Sequence, residues 1–233
     1  MTHDGDTARR DPGGGGDEQA LRDALERLQR GRDVVARVVM GQDHTVDEVI
    51  IALIAGGHVL IESAPGLGKT LLVRTLGRVF GLASSRVQFT PDLMPADITG
   101  TFSLTPSEHG TMEPRFQPGP IFAQMVLADE INRATPKTQA ALLEAMQEGT
   151  VTVMGTEHAL PTPSFVLATQ NPIEMEGTYL LPEAQVDRFL FKIDVPFPSR
   201  EVLGRIVEST TNNEATEVAE VLTPDLVLDL QRW

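Results

Sequence analysis

Residues 63–70 read S-A-P-G-L-G-K-T, the pattern G-x-x-x-x-G-K-[ST] with Ser63 in place of its first glycine. A segment of this kind is suited to holding phosphate. Gly66 and Gly68 let backbone amides approach phosphate oxygens, a helix starting near Lys69 aims its positive end at them, and Lys69 reaches the β and γ phosphates. The Thr70 hydroxyl is placed to ligate Mg2+. Pro65, Gly66, Leu67, Gly68, Lys69 and Thr70 are therefore the candidate ATP-binding set, with Mg2+ as the companion ion. The plain alternative is a glycine-rich turn carrying a solvated lysine. What flanks the loop argues against it, since an apolar run precedes it and a helical pattern follows.

A phosphate loop does not say what is done with the nucleotide, so a metal-holding acid at the end of a neighbouring strand is the next requirement. The run M-V-L-A-D-E from Met125 supplies it. Asp129 leaves the apolar strand where it can hold Mg2+ through water, and Glu130 is placed to polarise an attacking water. Both would otherwise simply solvate a strand end. A further strand, F-V-L-A-T, ends in Gln170, Asn171 and Pro172. Polar groups there emerge at the sheet edge where open α/β folds bind ligands, and Asn171 could orient the water near the γ phosphate. Taken alone, an asparagine before a proline is a turn residue.

The elements that must position these groups follow from periodicity. Leu21, Ala24, Leu25 and Leu28 recur at helical spacing, and Val46, Val49, Ile50 and Leu53 do so after Gly41, which predicts two helices before the first strand. Strands are expected at His58 to Glu62, Val87 to Phe89, Met125 to Ala128, Phe165 to Thr169 and Phe189 to Ile193, with helices at Thr70 to Phe80 and Pro136 to Gln147. This alternation implies an α/β fold with a mostly parallel sheet covered on both faces. Two segments break it and read as inserted hairpins: Gly100 to Gly119, turning at Pro106 to Gly110, and Val151 to His158, turning at Met154 and Gly155. Met1 to Asp17, with four consecutive glycines and almost nothing apolar, reads as a disordered tail.

Composition narrows the function classes. Acids outnumber bases 33 to 19 for a net charge of -14, which opposes neutralisation of a nucleic-acid backbone. With Cys 0, a disulfide framework, thiolate metal sites and cysteine catalysis are excluded. The longest apolar stretch, Val49 to Ile61, is interrupted by Gly56, Gly57 and His58 and falls short of the ~20 residues of a membrane helix. Arg9 and Arg10 lack the apolar run of an export signal, so the expected location is the cytoplasm. The basic residues are nearly all arginine, which makes the roles of Lys69, Lys137 and Lys192 worth asking after.

From about Val35 to Phe197 the chain resembles the MoxR-type AAA+ ATPases. The blocks that carry the resemblance are G-G-H-V-L-I-E-S-A-P-G-L-G-K-T, Q-F-T-P-D-L-M-P-A-D-I-T-G-T, F-Q-P-G-P-I-F, L-A-D-E-I-N-R-A, K-T-Q-A-A-L-L-E-A-M-Q-E-G, A-T-Q-N-P and E-G-T-Y-L-L-P-E-A-Q-V-D-R-F, in that order. The resemblance implies an AAA+ core over residues 18–198 and an ATPase that assembles into a ring, usually a hexamer, with nucleotide between subunits. Lys69 and Thr70 fall on the family's Walker A positions, Asp129 and Glu130 on Walker B, and Asn171 on the first sensor. Arg188 falls on the arginine finger that reaches a neighbour's γ phosphate, although an arginine there can also pair locally. Arg133 is a candidate for the subunit boundary or for a local salt bridge.

The segment around Thr99 to Phe116 looks like the clade's helix-2 insertion, and Val151 to His158 like its pre-sensor hairpin. Both are expected to face substrate or pore. Residues 199–233 have room for two or three helices of the usual ~11 to 12 residues, so the family's helical lid is expected to be incomplete and no second-sensor arginine can be matched. An incomplete lid is expected to weaken ring assembly. The family's manner of working implies chaperone-like remodelling or maturation of a protein partner, a von Willebrand A type protein or a metalloprotein client. The alternatives are a nucleotide-binding module with little turnover and a DNA-acting loader or motor.

Overall fold

The computed structural model describes residues 14–106, 111–172, 177–211 and 218–233. Two helices, α1 (Gly14–Val38) and α2 (Asp43–Ile54), lead into β1 (Val59–Glu62) and α3 (Lys69–Val79). There follow β2 (Ser84–Gln88), α4 (Pro95–Thr99), and the hairpin of β3 (Gly100–Pro106) and β4 (Met112–Pro118). Next come β5 (Met125–Asp129), α5 (Pro136–Glu148), and the hairpin of β6 (Thr150–Val153) and β7 (Thr156–Ala159). The chain continues with β8 (Phe165–Gln170), α6 (Glu183–Val186), β9 (Phe191–Asp194), α7 (Arg200–Thr211) and α8 (Pro224–Arg232).

The main sheet is 5-stranded in the order β2-β5-β8-β1-β9, and every pairing in it is parallel. Strand direction therefore brings all the carboxyl ends to one edge. The chain steps from β1 to the far edge at β2, works back through β5 and β8, and finishes with β9 on the other side of β1. Ligands of open α/β sheets bind outside the carboxyl ends at such a reversal.

Side-chain alternation explains why both faces are covered. Val59 and Ile61, Met125 and Leu127, Phe165 and Leu167 join one buried cluster with α1, α2, α3 and α8. Leu60, Val126 and Ala128, Val166 and Ala168 join a second cluster with Ile98 of α4 and Leu142, Leu143 and Met146 of α5. Successive residues of a strand point to opposite faces, so continuous apolar runs rather than alternating ones are what a doubly covered sheet demands.

Three boundaries differ from expectation by two residues or more. Helix α1 begins at Gly14 rather than after Asp17, with Asp17 in its first turn where an acid complements the helix dipole. The rest of the expected tail lies outside the described residues. Strand β2 starts at Ser84, because its pairing with β5 runs from Ser84 opposite Met125 to Gln88 opposite Asp129. At a sheet edge polar S-S-R is accepted. Strand β9 begins at Phe191, since the Leu190 N–H is turned onto the His58 carbonyl at 2.8 Å.

The expected hairpins form at the expected places, with the tip of the first at residues 107–110 outside the described set. Beyond Pro198, α8 packs on the core rather than apart from it. Leu222, Val227 and Leu230 are buried in the cluster that contains α1 and α2, and the Gln231 amide donates to the Leu53 carbonyl at 2.7 Å.

Candidate nucleotide site

β1 delivers the loop. After Glu62 the Ser63 N–H donates to the Gln170 carbonyl at 3.3 Å, which ties the loop's first residue to the neighbouring β8. Gly66 at φ +83 and Gly68 at φ +78 then turn the chain through left-handed conformations that favour glycine. Nothing lies within 4 Å of a Cβ placed on Gly66, so this side of the loop is open. Helix α3 starts at Lys69 with no side-chain cap and no acid in its first turn. Its first amides are left for an outside acceptor, and an anion is what the helix's positive end favours.

Lys69 lies folded over this loop. Its ammonium donates to Ser63 Oγ at 3.0 Å, to the Ala64 carbonyl at 3.4 Å and to the Ser63 carbonyl at 3.5 Å. Burial pushes the ammonium below the usual lysine range, and the charges of Asp129 and Glu130 only partly offset it. A half-buried cation whose described acceptors are neutral oxygens is electrostatically suited to an anionic ligand. Ser63, which departs from the loop pattern, thus has a use: its hydroxyl holds the lysine.

The carboxyl end of β5 brings in Asp129, which is 7% exposed. Thr169 on β8 donates its hydroxyl to Asp129 Oδ1 at 2.7 Å and accepts the Glu130 N–H at 2.9 Å. Arg86 on β2 reaches Asp129 Oδ2 at 2.6 Å. Glu130 sits at φ +57, unusual for a residue with a side chain, and its Oε2 accepts from Gln88 at 2.9 Å and Arg133 at 3.0 Å. Strained backbone of this kind concentrates at functional sites. Asn171, buried just past β8, has its carbonyl within 3.5 Å of the Asn132 amide, and Asn132 Oδ1 has no described partner.

Lys69, Thr70, Asp129, Glu130 and Asn171 therefore converge at the carboxyl ends of adjacent strands. Arg188 does not join them. It lies ahead of the amino end of β9, where Phe191 is level with Val59 at the start of β1. The four residues of β1, roughly 13 Å at ~3.3 Å each, separate that end from the loop. Arg133 pairs locally with Glu130 at 3.0 Å.

Four contacts were not legible beforehand: Arg86 on Asp129, Thr169 between Asp129 and Glu130, Gln88 on Glu130, and Gln42, whose amide donates to the Leu67 carbonyl at 2.8 Å. Arg86, Gln88 and Thr169 are signalled in the sequence only by lying in or beside the motifs, and Gln42 by nothing there. Lys192 pairs with Glu62 at 2.9 Å. Burial opposes ionisation of Glu62, but Lys192 and the Gln170 amide outweigh it and hold the carboxyl below its usual range.

No cluster of three or more His, Cys, Asp or Glu side chains suited to a metal occurs among the described residues. The donors present, a threonine hydroxyl and a carboxylate, are the hard oxygens that Mg2+ accepts beside phosphate and water, so the residues fit that ion.

Comparison with known proteins decides the family. The model of the ATPase family associated with various cellular activities (AAA) matches residues 58–191. The chain belongs to this AAA family. Chaperone MoxR1 of Mycobacterium tuberculosis is 48% identical over 205 residues, covering 88% of this chain and 53% of its own length. Protein YeaC of Bacillus subtilis is 54% identical over 172 residues, covering 74% of this chain and 53% of its own length. The chain thus spans about half the length of these curated relatives. The crystal structure of a candidate ATPase from Cytophaga hutchinsonii superposes with a TM-score of 0.82 at 40% identity, covering 94% of this chain and 67% of that one. Within the AAA family the resemblance is to the MoxR type, and the α/β fold with its parallel sheet agrees with it.

Proposed function

We propose that this chain binds ATP with Mg2+ and hydrolyses it, and that the hydrolysis drives remodelling or maturation of a protein partner. The observation that carries the reading is the meeting of an uncapped helix start, a half-buried lysine on neutral oxygens and two strand-end carboxylates at one edge of the sheet. In this reading the amides from Pro65 to Gly68 and the Lys69 ammonium bind the phosphates. Thr70 and Asp129 hold the hydrated metal, which when bound neutralises phosphate charge. Glu130 takes the proton of the attacking water, and Asn171 orients that water.

Arg188, at the opposite end of β1 from its own loop, serves the γ phosphate held by another copy of the chain, so the working unit is an assembly in which nucleotide lies between subunits. A ring, a hexamer in the manner of the MoxR type, is the arrangement that meets this need. Chaperone MoxR1 carries the name of a chaperone, which supports a protein client. A von Willebrand A type protein or a metalloprotein is the proposed client. No helix among the described residues is long and apolar enough to cross a membrane, and the cytoplasm is the proposed location.

A second reading, nucleotide binding with little turnover by the chain alone, rests on the same geometry: Glu130 is held by Gln88 and Arg133, and Arg188 is remote. Calorimetric titration of ATP with Mg2+ tests the binding on which both rest. Lys69→Ala should abolish it, because the ammonium that offsets the phosphate charge is gone. Equal affinity in variant and wild type contradicts the assignment.

A further inference from the structure

The amino end of β1 carries a second built feature, at the opposite edge of the sheet from the phosphate loop. His58 immediately precedes β1 and is almost fully buried. Its Nδ1 accepts the Val166 N–H of β8 at 3.1 Å, which leaves the proton on Nε2 to be donated to the Met146 carbonyl in the last turns of α5 at 3.3 Å. Its own carbonyl accepts the Leu190 N–H at 2.8 Å. One residue thus fixes the start of β8, the end of α5 and the segment that follows Arg188.

Those elements frame one cavity of about 460 Å³ lined by His58, Met146, Gln147, Ala184, Asp187 and Arg188. The approach is tight. A Cβ on Gly57 would lie 2.7 Å from Leu190 Cβ, so the 57–58 segment and the 188–190 segment sit against each other without slack. Arg188, on the β9 approach, thus lines this cavity with Met146 and Gln147 of α5, and His58 ties both segments down, α5 through its ring and the β9 approach through its carbonyl.

We propose that His58 is the positioning residue for Arg188, holding α5 through Nε2 and the 188–190 segment through its carbonyl so that the backbone carrying Arg188 keeps a fixed place. The proposal rests on the reading of Arg188 as the group that acts on a neighbouring copy. A finger works only when aimed, and a displacement of about 1 Å can cost about 100-fold in rate. His58 acts through Arg188 and touches no nucleotide.

The test is a double-mutant cycle on the whole chain, with ATP affinity measured by calorimetry beside kcat and KM. His58→Phe fills the space and removes both side-chain hydrogen bonds. It should lower kcat by about 10- to 100-fold with affinity and KM within about 2-fold of wild type. His58→Gln, whose amide nitrogen can donate to the Met146 carbonyl, should recover most of the rate. His58→Asn keeps an acceptor near Val166 but gives up the Met146 bond, and should resemble His58→Phe.

In the Arg188→Ala background, His58→Phe should cost nothing further, because the residue it aims is absent. Thermal unfolding selects the variants that are folded at assay temperature, and the Gln and Asn forms carry the test if Phe is not. Full additivity with Arg188→Ala, equal loss in Gln and Asn, or weakened ATP binding would overturn the proposal. So would an unchanged kcat in both Phe and Asn while Arg188→Ala is impaired. An unchanged kcat in Arg188→Ala itself removes the finger and this proposal with it, and that control tells the two failures apart.

Discussion

Arg86 Nη2 lies 2.6 Å from Asp129 Oδ2, on the carboxylate whose other oxygen already accepts the Thr169 hydroxyl. Both acceptors of the proposed metal-holding acid are thus engaged, one by a formal cation. In the proposed role, a metal held by Asp129 would compete with Arg86 for the same charge.

Arg86→Ala should therefore lower the Mg2+ concentration needed for ATP binding, since the carboxylate no longer has to give up a charged partner. Calorimetric ATP titrations at stepped Mg2+ read it. An unchanged or raised requirement would mean that Arg86 and the metal occupy Asp129 together.

Thr169→Val removes the hydroxyl that Asp129 and the Glu130 N–H share. Leaving those buried groups short of a partner should cost about 1–3 kcal/mol of stability. Urea unfolding measures it, and a loss within the error of the fit would show that water replaces the hydroxyl.

Glu130→Gln keeps the shape of the side chain but cannot accept a proton. ATP binding should persist while turnover falls by about 10² to 10⁴. Normal hydrolysis would make Glu130 a bystander and place water activation elsewhere.

Burial pushes the His58 imidazole below its ordinary range, and the Met146 carbonyl only partly opposes this. The unfolded chain then binds that proton at a higher pH than the folded chain does. Stability should be unaffected by His58 above its ordinary value near 6.5 and fall below it, by at most about 1.4 kcal/mol per pH unit. Denaturant unfolding of wild type and His58→Gln between about pH 7.5 and 5.5 isolates the effect. Parallel pH slopes in the two proteins would contradict it.

The contrast between Lys69 and Arg86 shows where the sequence is legible. Lys69, Asp129 and Asn171 stand at the ends of apolar runs, and a strand end in an α/β fold has only one edge to reach, so short motifs placed them. Arg86 and Thr169 act across strands that are not adjacent in the chain, and only the order β2-β5-β8 brings them to Asp129. The sequence points to β2 only from Val87 because an edge strand tolerates S-S-R, whose polarity hides the start of the strand. Helix α1 began early for a related reason: glycines that disfavour a helix locally are carried by a long amphipathic segment after them. In the sequence His58 is the first residue of an expected strand, and nothing in H-V-L-I-E shows that its ring closes on α5.

In the proposed assembly one site is completed by two copies of this chain, with Lys69 from one and Arg188 from the other. Mixing Lys69→Ala chains with Arg188→Ala chains tests it most directly, because each variant keeps the half that the other lacks. Turnover of the mixture, followed against total protein concentration, should exceed the summed rates of the separate variants and rise with concentration. A mixture no faster than that sum at every concentration, from variants that each fold, would contradict the claim.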